Sequence, residues 1–368
     1  MKIANDVDAS PCVRPGTGQR RPASARLISR RAAALGLSLA LGVSLAACNR
    51  SSDSATGSGG DKIGFSAAVL DNPFTVQLVD TVQSQGAAGG FDMQQTTNAN
   101  GDTGKQITDM NTLVTQQVAG IFLIPRDSDA IVPGVEAANK AGIPVVTVDT
   151  AANGGDIYMN IRADNVAMGA SVCDSLGAAI GGQGTVLELQ GDLGTSSGAD
   201  RHQGFADCMA QKYPGVQIIA RPTDWESAKA ADAAQTVLST TDVNGVFLAS
   251  DSVMLDGVTS VMKNLGKYLP AGQPGHISMV SIDGSGPSLA AIRTGELDAV
   301  VSQPINDYAK YGVSYMKDAI AGKTYAVGPT DHGSQIVEYK GNLADMLPSP
   351  VVTKANVDDS TLWGNASK

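Results

Sequence analysis

Short apolar segments alternate with amphipathic segments from residue 62 onward. Eight apolar segments have the length of a β-strand and are rich in Val, Ile and Leu; they span residues 63–70, 120–125, 144–149, 185–191, 216–220, 245–251, 277–284 and 297–304. Each precedes a stretch with helical spacing of apolar residues, such as 164–181 and 225–240. Continuous apolar strands that alternate with helices are typical of parallel sheets covered on both faces. The pattern therefore predicts an α/β fold with doubly wound parallel sheets.

A faint internal repeat indicates two lobes of like topology. Residues 118–127 read VAGIFLIPRD and residues 243–251 read VNGVFLASD. Each segment leads through a helix to a second strand that ends in Asp, at Asp149 and at Asp283. Chance similarity is the alternative, since buried strands draw on few residue types. The length of 368 residues also favours two domains over one.

The first 47 residues have the pattern of an export signal. An Arg-rich stretch precedes sixteen uncharged small or apolar residues, 32–47, which are too few for a membrane span of about 20 residues. The sequence LAAC at 45–48 resembles the bacterial lipobox, in which the cysteine is acylated, and a Ser/Gly-rich stretch follows. We therefore expect a signal peptide at 1–47, lipidation at Cys48 and a lipidated tether at 48–60. A short buried helix with an ordinary cysteine is the alternative.

Charge and cysteine content narrow the classes of partner. Residues 1–47 carry seven Lys or Arg and two Asp, so that the rest of the chain has a formal net charge of −15. Such a surface repels nucleic acid, and we expect no nucleic-acid partner. Beyond Cys48 only Cys173 and Cys208 remain, and an even pair in an exported protein favours a disulfide over two buried thiols. With three His residues, none at ligand spacing, we expect no metal site and no cofactor.

Three enzyme motifs fit poorly. The segment GTSSG at 194–198 satisfies the pattern of a hydrolase nucleophile, but two residues separate it from the strand, so we interpret it as a turn and helix cap. The segment GDTGKQ at 101–106 lacks the first glycine and the hydroxyl residue of a phosphate loop. Paired carboxylates for glycoside hydrolysis stay open as an alternative, although no acid and base stand out.

Ligands of doubly wound sheets bind beyond the carboxyl ends of the strands, and polar residues lie at these ends. A sugar site needs planar polar groups for pairs of hydroxyls and an aromatic face for the C–H side of the ring. Aromatic residues make up only 4% of the chain, so Phe74 and Trp225 are informative. The candidates at or near strand ends are Asn72, Phe74, Arg126, Asp149, Trp225, Ser250, Asp251, Asp283 and Gln303.

With these strand ends in view, the chain resembles the ribose-binding branch of the type I periplasmic sugar-binding proteins over residues 61–342. The landmarks are DNPF at 71–74, PRDSDA at 125–130, IPVVTVD at 143–149, ADN at 163–165, ELQG at 188–191, Arg201, GF at 204–205, DW at 224–225 and IDG at 282–284. The tail from 352 to 364 is also similar to the ending of many members.

The resemblance implies two lobes joined by a three-stranded hinge. It places residues 61–163 and 304–333 in the N-terminal lobe, 164–303 and 334–347 in the C-terminal lobe, and 348–368 in a C-terminal tail. It implies that Phe74 and Trp225 sandwich a ligand from opposite lobes. It also implies that the ligand's hydroxyls are bound by two carboxylates, two amides and one guanidinium, namely those of Asp149, Asp283, Asn72, Gln303 and Arg201. Helix capping and hinge hydrogen bonding are the alternatives for the two carboxylates, and a surface position is the alternative for Arg201.

Five departures from the ribose binders bear on the ligand. Where those proteins carry Ser, a second Phe, Asn, Arg and Asn, this chain has Ala68, Thr75, Ile124, Thr150 and Ser250. The loss of one Arg and two amides removes hydrogen-bond donors, which disfavours the hydroxyl array of ribopyranose. Arg126 is a candidate to compensate. We therefore expect a monosaccharide or a sugar alcohol, with a four- to six-carbon polyol favoured over ribose.

The function implied is that of a substrate-binding lipoprotein of an ABC importer, which closes around its ligand and presents it to a permease and an ATPase. We expect a monomer that is exported and held at the membrane only through its lipid. A sensory receptor with the same cleft and a secreted carbohydrate-active enzyme are the alternatives. Repressors that share the fold would need a basic helix-turn-helix before the first lobe, where this chain has a lipobox and a Gly/Ser-rich linker.

Overall fold

A computed structural model describes residues 60–366, so the expected signal peptide, Cys48 and nearly all of the expected tether lie outside the described residues. The first elements in chain order are β1 (Lys62–Ala67), α1 (Pro73–Ala88), β2 (Asp92–Met93), β3 (Thr97–Asn98), α2 (Thr103–Thr115), β4 (Gly120–Ile124), α3 (Val132–Lys140), β5 (Val145–Val148) and β6 (Met159–Ala163). The next elements are α4 (Asn165–Ala179), β7 (Gln183–Gln190), α5 (Ser196–Lys212), β8 (Gly215–Pro222), α6 (Ser227–Thr240), β9 (Gly245–Leu248), α7 (Asp251–Asn264), β10 (Ser278–Asp283), α8 (Gly286–Thr294) and β11 (Ala299–Ser302). The last are α9 (Ile305–Ile320), β12 (Gly328–Pro329), β13 (Gln335–Tyr339), β14 (Asn342–Leu347), β15 (Val351–Val352) and α10 (Trp363–Ala366).

The strands form two sheets, one in each lobe. The first sheet has the order β12-β13-β14-β6-β5-β4-β1-β2, with β3 also paired to β1, and the second has the order β15-β11-β10-β9-β7-β8. Strands β1, β2, β4, β5 and β6 pair in parallel, and so do β7 to β11. In the first sheet β1 lies between β2 and β4, and in the second sheet β7 lies between β8 and β9 in the same way. The predicted α/β fold with two parallel-sheet lobes is confirmed.

The chain passes between the two sheets three times. It leaves the first sheet after Ala163, re-enters the first lobe through α9 after Gln303, and leaves again between Leu347 and Val351. The assignment of 334–347 to the C-terminal lobe is corrected here, because β13 and β14 form a hairpin and β14 pairs with β6 in the first sheet. Residues 351–366, expected as a tail, add β15 beside β11 and place α10 against α8 in the second lobe.

Local sequence explains how α1 begins beside the strand ends. Asn72 is the N-cap of α1, and its side-chain oxygen accepts a hydrogen bond from the backbone N–H of Thr75 at 2.9 Å. Pro73 follows at the first helical position, where a missing N–H does no harm. This start places Phe74 directly beyond the carboxyl end of β1. Farther inside, Phe65 packs on Phe122 between neighbouring strands, with ring centroids 5.8 Å apart.

Helices α4 and α5 pack closely against each other in the second lobe. A β-carbon placed on Gly169 of α4 would lie 2.1 Å from the carbonyl oxygen of Arg201, and one on Gly204 of α5 would lie 2.0 Å from that of Val166. A disulfide between Cys173 and Cys208 also joins the two helices, as the even cysteine pair predicted. Within residues 60–366, no helix is both long enough and apolar enough to cross a membrane.

Candidate functional site

A cavity of about 370 Å³ lies where the carboxyl ends of both sheets face each other. Both lobes contribute to its wall. The residues from the first lobe are Ala68, Val69, Asp71, Asn72, Phe74, Thr75, Asn100, Gly101, Ile124, Pro125, Arg126, Asp149 and Thr150. Those from the second lobe are Thr195, Ser197, Arg201, Asp224, Trp225, Glu226, Ser250, Val253 and Asp283. The volume is in the range of a site for a small organic ligand.

Two aromatic side chains line the cavity from different lobes. Phe74 is buried, and its ring meets that of Trp363 edge to face at 6.3 Å. The indole N–H of Trp225 donates to the hydroxyl of Thr195 at 3.2 Å. Gly191 makes room for this indole, because a β-carbon at that position would lie 2.0 Å from the ring. Both rings are therefore held in place by the protein itself.

The guanidinium of Arg201 is buried and fixed from two sides. Its Nε–H donates to Oδ1 of Asn165 at 2.8 Å, and Nη1 donates to the carbonyl oxygen of Ala249 at 2.7 Å. Nη1 also lies 3.8 Å from a carboxylate oxygen of Asp283, and the guanidinium carbon lies 5.6 Å from the centre of the Trp225 ring. A cation fixed in this way is a pre-oriented donor for ligand oxygens.

Asp149 and Asp283 present buried carboxylates from opposite lobes. Asp149 accepts hydrogen bonds from the hydroxyl of Thr150 at 2.9 Å and from the amide of Gln303 at 3.3 Å. Burial raises its pKa above the ordinary value, an effect that Arg201 opposes. Asp283 accepts from the hydroxyl of Ser250 at 2.5 Å. Burial, with the charge of Asp251 beside it, raises the pKa of Asp283 to about 7.

Backbone conformation marks the same region. Seven non-glycine residues among the described ones have a positive φ, and five of them line the cavity. They are Asn100 with φ 53°, Asp149 with φ 66°, Asp224 with φ 54°, Trp225 with φ 60° and Asp283 with φ 122°. Residues other than glycine rarely adopt a positive φ, and those that do so are concentrated at ligand sites.

Eight of the ten predicted site residues line the cavity and two lie behind it. Asp251 is buried below Asp283, where its carboxylate accepts hydrogen bonds from the backbone N–H groups of Gly284 at 2.9 Å and Ser285 at 3.1 Å. Gln303 is also buried, and its side-chain amide donates to the carboxylate of Asp149 at 3.3 Å. Gln303 therefore orients a residue of the cavity wall, whereas Asp251 fixes the turn that follows Asp283.

The sequence reasoning did not select several polar residues that line the cavity, among them Asn100, Thr195, Ser197, Asp224 and Glu226. They lie on loops or at the first turn of helices rather than at strand ends. The sequence contained a signal for Thr195 and Ser197, because both lie in the segment GTSSG at 194–198, which we interpreted as a turn and helix cap. Thr195 is indeed the N-cap of α5. The positions of the five departures from the ribose binders all line the cavity.

Direct contacts join the two lobes beside the cavity. The hydroxyl of Ser128 accepts from the backbone N–H of Ser196 at 2.9 Å, and the hydroxyl of Ser196 accepts from the backbone N–H of Ala151 at 2.8 Å. An ion pair between Arg126 and Asp192 also bridges the lobes. Arg126 therefore lines the cavity with part of its charge already neutralised.

Among the described residues, the one grouping with metal-ligand spacing combines Asp174 with Cys173 and Cys208. The two sulfurs are joined in the disulfide, so this grouping does not offer thiolate ligands.

Two parallel-sheet lobes joined by three crossings around a deep cavity define a two-lobed solute-binding protein. Residues 63–324 match the family model of the periplasmic binding protein domain, and the chain belongs to this family. It is 30% identical to the ribose import binding protein of Salmonella typhimurium over 74% of this chain and 89% of that protein. It is 25% identical to the xylitol-binding protein of Mycolicibacterium smegmatis over 90% of this chain and 88% of that protein.

A solved structure agrees with these relatives. An ABC transporter solute-binding protein from Mycobacterium smegmatis with bound glycerol superposes with a TM-score of 0.71 and 26% identity, covering 81% of this chain and 96% of that chain. The resemblance drawn from the sequence is confirmed, and the chain is a type I periplasmic sugar-binding protein. These relatives are solute-binding proteins of transport systems rather than enzymes.

Proposed function

We propose that this protein is the solute-binding component of an ABC importer for a four- to six-carbon polyol. The observation that carries the proposal is the convergence of Asp149, Asp283 and Arg201 on a cavity walled by Phe74 and Trp225. Two carboxylates accept hydrogen bonds from ligand hydroxyls, and the guanidinium donates to a ligand oxygen. The aromatic rings contact the C–H face of the carbon chain.

The hydrogen bonds that Thr150 and Ser250 already make within the protein favour a polyol over ribose as the ligand. Thr150 and Ser250 stand where ribose binders carry Arg and Asn, and their hydroxyls donate to Asp149 and Asp283. Ile124, where those proteins carry Asn, adds no polar group at all. Fewer protein donors therefore face the cavity, and a ligand that supplies many hydroxyl donors of its own is complementary to the two carboxylates.

The relatives support the same proposal. One is named for xylitol, a five-carbon acyclic polyol, and one solved structure holds glycerol, an acyclic polyol with three carbons. By analogy with the family, we propose that closure around the ligand creates the surface that a permease and its ATPase recognise, and that the ligand is released unchanged.

Export and membrane anchoring of the chain are part of the same proposal. We propose that the protein is exported and anchored through an acylated Cys48, and that it acts as a monomer. Incorporation of radiolabelled palmitate in a bacterial host tests the anchor. We expect the wild type to become labelled and the Cys48→Ser variant to stay unlabelled. Equal labelling of the two proteins would contradict the proposed anchor.

A thermal-shift screen of the full chain against pentoses, hexoses, deoxysugars and four- to six-carbon polyols tests the ligand class. A ligand at a hundred times its Kd stabilises the folded state by about 2.7 kcal/mol, which corresponds to a rise of about 4 °C for a chain of this length. We expect such a rise with a polyol and expect Arg201→Ala to abolish it.

The matched control is Arg293→Ala. Arg293 lies on α8 and pairs with Asp358 away from the cavity, so this variant keeps the response. The absence of a rise with every polyol would refute the proposed ligand class.

A further inference from the structure

We propose that Gln303, Tyr308 and Asn165 are positioning residues, which link the two ligand-binding residues Asp149 and Arg201 through the hinge. The inference rests on the proposed function of the cavity. It adds a role for three buried side chains that do not line the cavity and that lie where the chain passes between the lobes.

The first half of the link begins at Asp149 in the first lobe. The side-chain amide of Gln303 donates to Oδ1 of Asp149 at 3.3 Å. The side-chain oxygen of Gln303 in turn accepts a hydrogen bond from the hydroxyl of Tyr308 at 2.7 Å. Gln303 is the residue after β11, where the chain returns from the second lobe to the first. Asp149 is thus bonded to the second crossing.

The second half of the link runs through the first crossing. The hydroxyl of Tyr308 accepts from the backbone N–H of Ala163 at 2.8 Å. The carbonyl oxygen of Ala163 accepts from the side-chain amide of Asn165 at 3.0 Å, and Oδ1 of Asn165 accepts from Nε–H of Arg201 at 2.8 Å. Ala163 ends β6 and Asn165 begins α4, so these bonds span the passage from one lobe to the other.

The chain of bonds is sealed from water along its length. None of its six members is more than 6% exposed. A buried hydrogen bond that is broken without replacement leaves desolvated polar groups, which is far more costly than the loss of an exposed bond. The five bonds therefore favour one arrangement of the two crossings.

Opening of the lobes requires rotation of the backbone at these crossings. Such a rotation moves Ala163 and Asn165 relative to Gln303 and Tyr308, and so it strains or breaks the chain of bonds. These five hydrogen bonds stabilise the closed arrangement of the lobes, and they also orient Asp149 and Arg201 for the ligand. Their loss then weakens binding through the population of the closed form rather than through a missing ligand contact.

The variant Tyr308→Phe tests this inference, because it removes one hydroxyl and keeps the ring. The matched control is Tyr315→Phe in the same helix, which removes a buried hydroxyl that donates to Asp345 within the first lobe at 3.0 Å. Small-angle X-ray scattering of the full chain without ligand reports the distribution of open and closed forms. We expect Tyr308→Phe to increase the radius of gyration and Tyr315→Phe to leave it at the wild-type value.

Binding kinetics give a second readout, with the polyol that stabilises the wild type most in the thermal-shift screen as the probe. We expect at least a tenfold loss of affinity in Tyr308→Phe, mainly through faster dissociation, and no such change in Tyr315→Phe. Asn165→Asp keeps an acceptor for Arg201 but loses the donor to Ala163, and we expect it to behave like Tyr308→Phe.

Equal scattering of the two tyrosine variants would overturn the inference, as would a wild-type dissociation rate in Tyr308→Phe. The scattering comparison needs no ligand, so it decides the role of the hinge link even if no polyol binds. A failure of the proposed ligand class and a failure of this inference are therefore distinguishable.

Discussion

Asp283 combines three unfavourable features that a structural role alone does not require. Its carboxylate is buried, a second carboxylate from Asp251 lies nearby, and its backbone φ is 122°. Ser250 and Arg201 offset part of the burial of the charge. Residues that carry such strain and such a perturbed pKa concentrate at binding sites.

The pKa of Asp283 predicts a pH dependence of stability. The carboxyl has an ordinary pKa of 3.8 and titrates near 7 in the folded protein, so the folded state holds the proton more tightly. The associated stability is complete below about pH 4 and is lost as the pH rises through 7. We expect the thermal midpoint of the wild type to fall between about pH 5 and pH 8, and that of Asp283→Asn to fall less.

The control for this experiment is Asp224→Asn. The carboxylate of Asp224 is 45% exposed and pairs with Lys229, so its loss leaves the slope of the wild type unchanged. Parallel curves for the wild type and Asp283→Asn would contradict the assignment.

Most of the candidates at strand ends line the cavity because parallel strands bring their last residues to one edge of the sheet. A position at a strand end did not give the direction of each side chain. Asp251 follows a strand like Asp149 does, yet it points into the turn at Gly284 instead of the cavity. The direction of the Asp251 side chain depends on which backbone N–H groups lie within hydrogen-bond distance after folding. Loop residues such as Asn100 were missed for the same reason, since the pattern of a loop does not reveal what it faces.

At the scale of elements, the paired helices α4 and α5 form the support of Arg201. Asn165 at the start of α4 orients the guanidinium, and the disulfide from Cys173 to Cys208 joins the helices farther along. The sequence predicted the helix at 164–181 and the cysteine pair, because both have local signals. The close approach at Gly169 has no local signal, because the sequence around a helical glycine does not reveal whether a neighbouring backbone occupies the space of the missing side chain.

Gly169→Ala tests this close approach. Its β-carbon would lie 2.1 Å from the carbonyl oxygen of Arg201, so the helices must separate. We expect a loss of about 2 kcal/mol or more in the free energy of unfolding by urea. Gly312→Ala in α9 is the control, because its β-carbon would meet its nearest neighbour at 3.4 Å and alanine favours helices by up to about 1 kcal/mol. Equal unfolding midpoints for the two variants would contradict this account of the packing.

The hairpin of β13 and β14 shows where element prediction from sequence fell short. Alternation of strands and helices predicts the repeated core of each lobe, but these two strands come after the repeat has ended. Their pairing with β6 is set by contacts nearly two hundred residues apart in sequence, such as Ala344 with Asn160. No local pattern gives the partner of such a strand, and the assignment of 334–347 was wrong for that reason.

At the scale of the whole molecule, the cavity and the hinge act together. Ser128, Ser196 and the ion pair of Arg126 with Asp192 join the lobes beside the cavity, and the buried bonds from Asp149 to Arg201 join them at the hinge. A ligand that contacts both lobes adds to these bonds, so its binding energy favours closure. The function proposed here depends on that coupling and on the hydroxyl chemistry of the ligand.

Calorimetric titration of the full chain with erythritol, xylitol, sorbitol and ribose tests the central claim most directly. We predict that one of the polyols binds with a stoichiometry of one per chain and more tightly than ribose, and that Arg201→Ala removes the binding heat. Tighter binding of ribose than of every polyol, or no binding heat from any of the four compounds, would contradict the account.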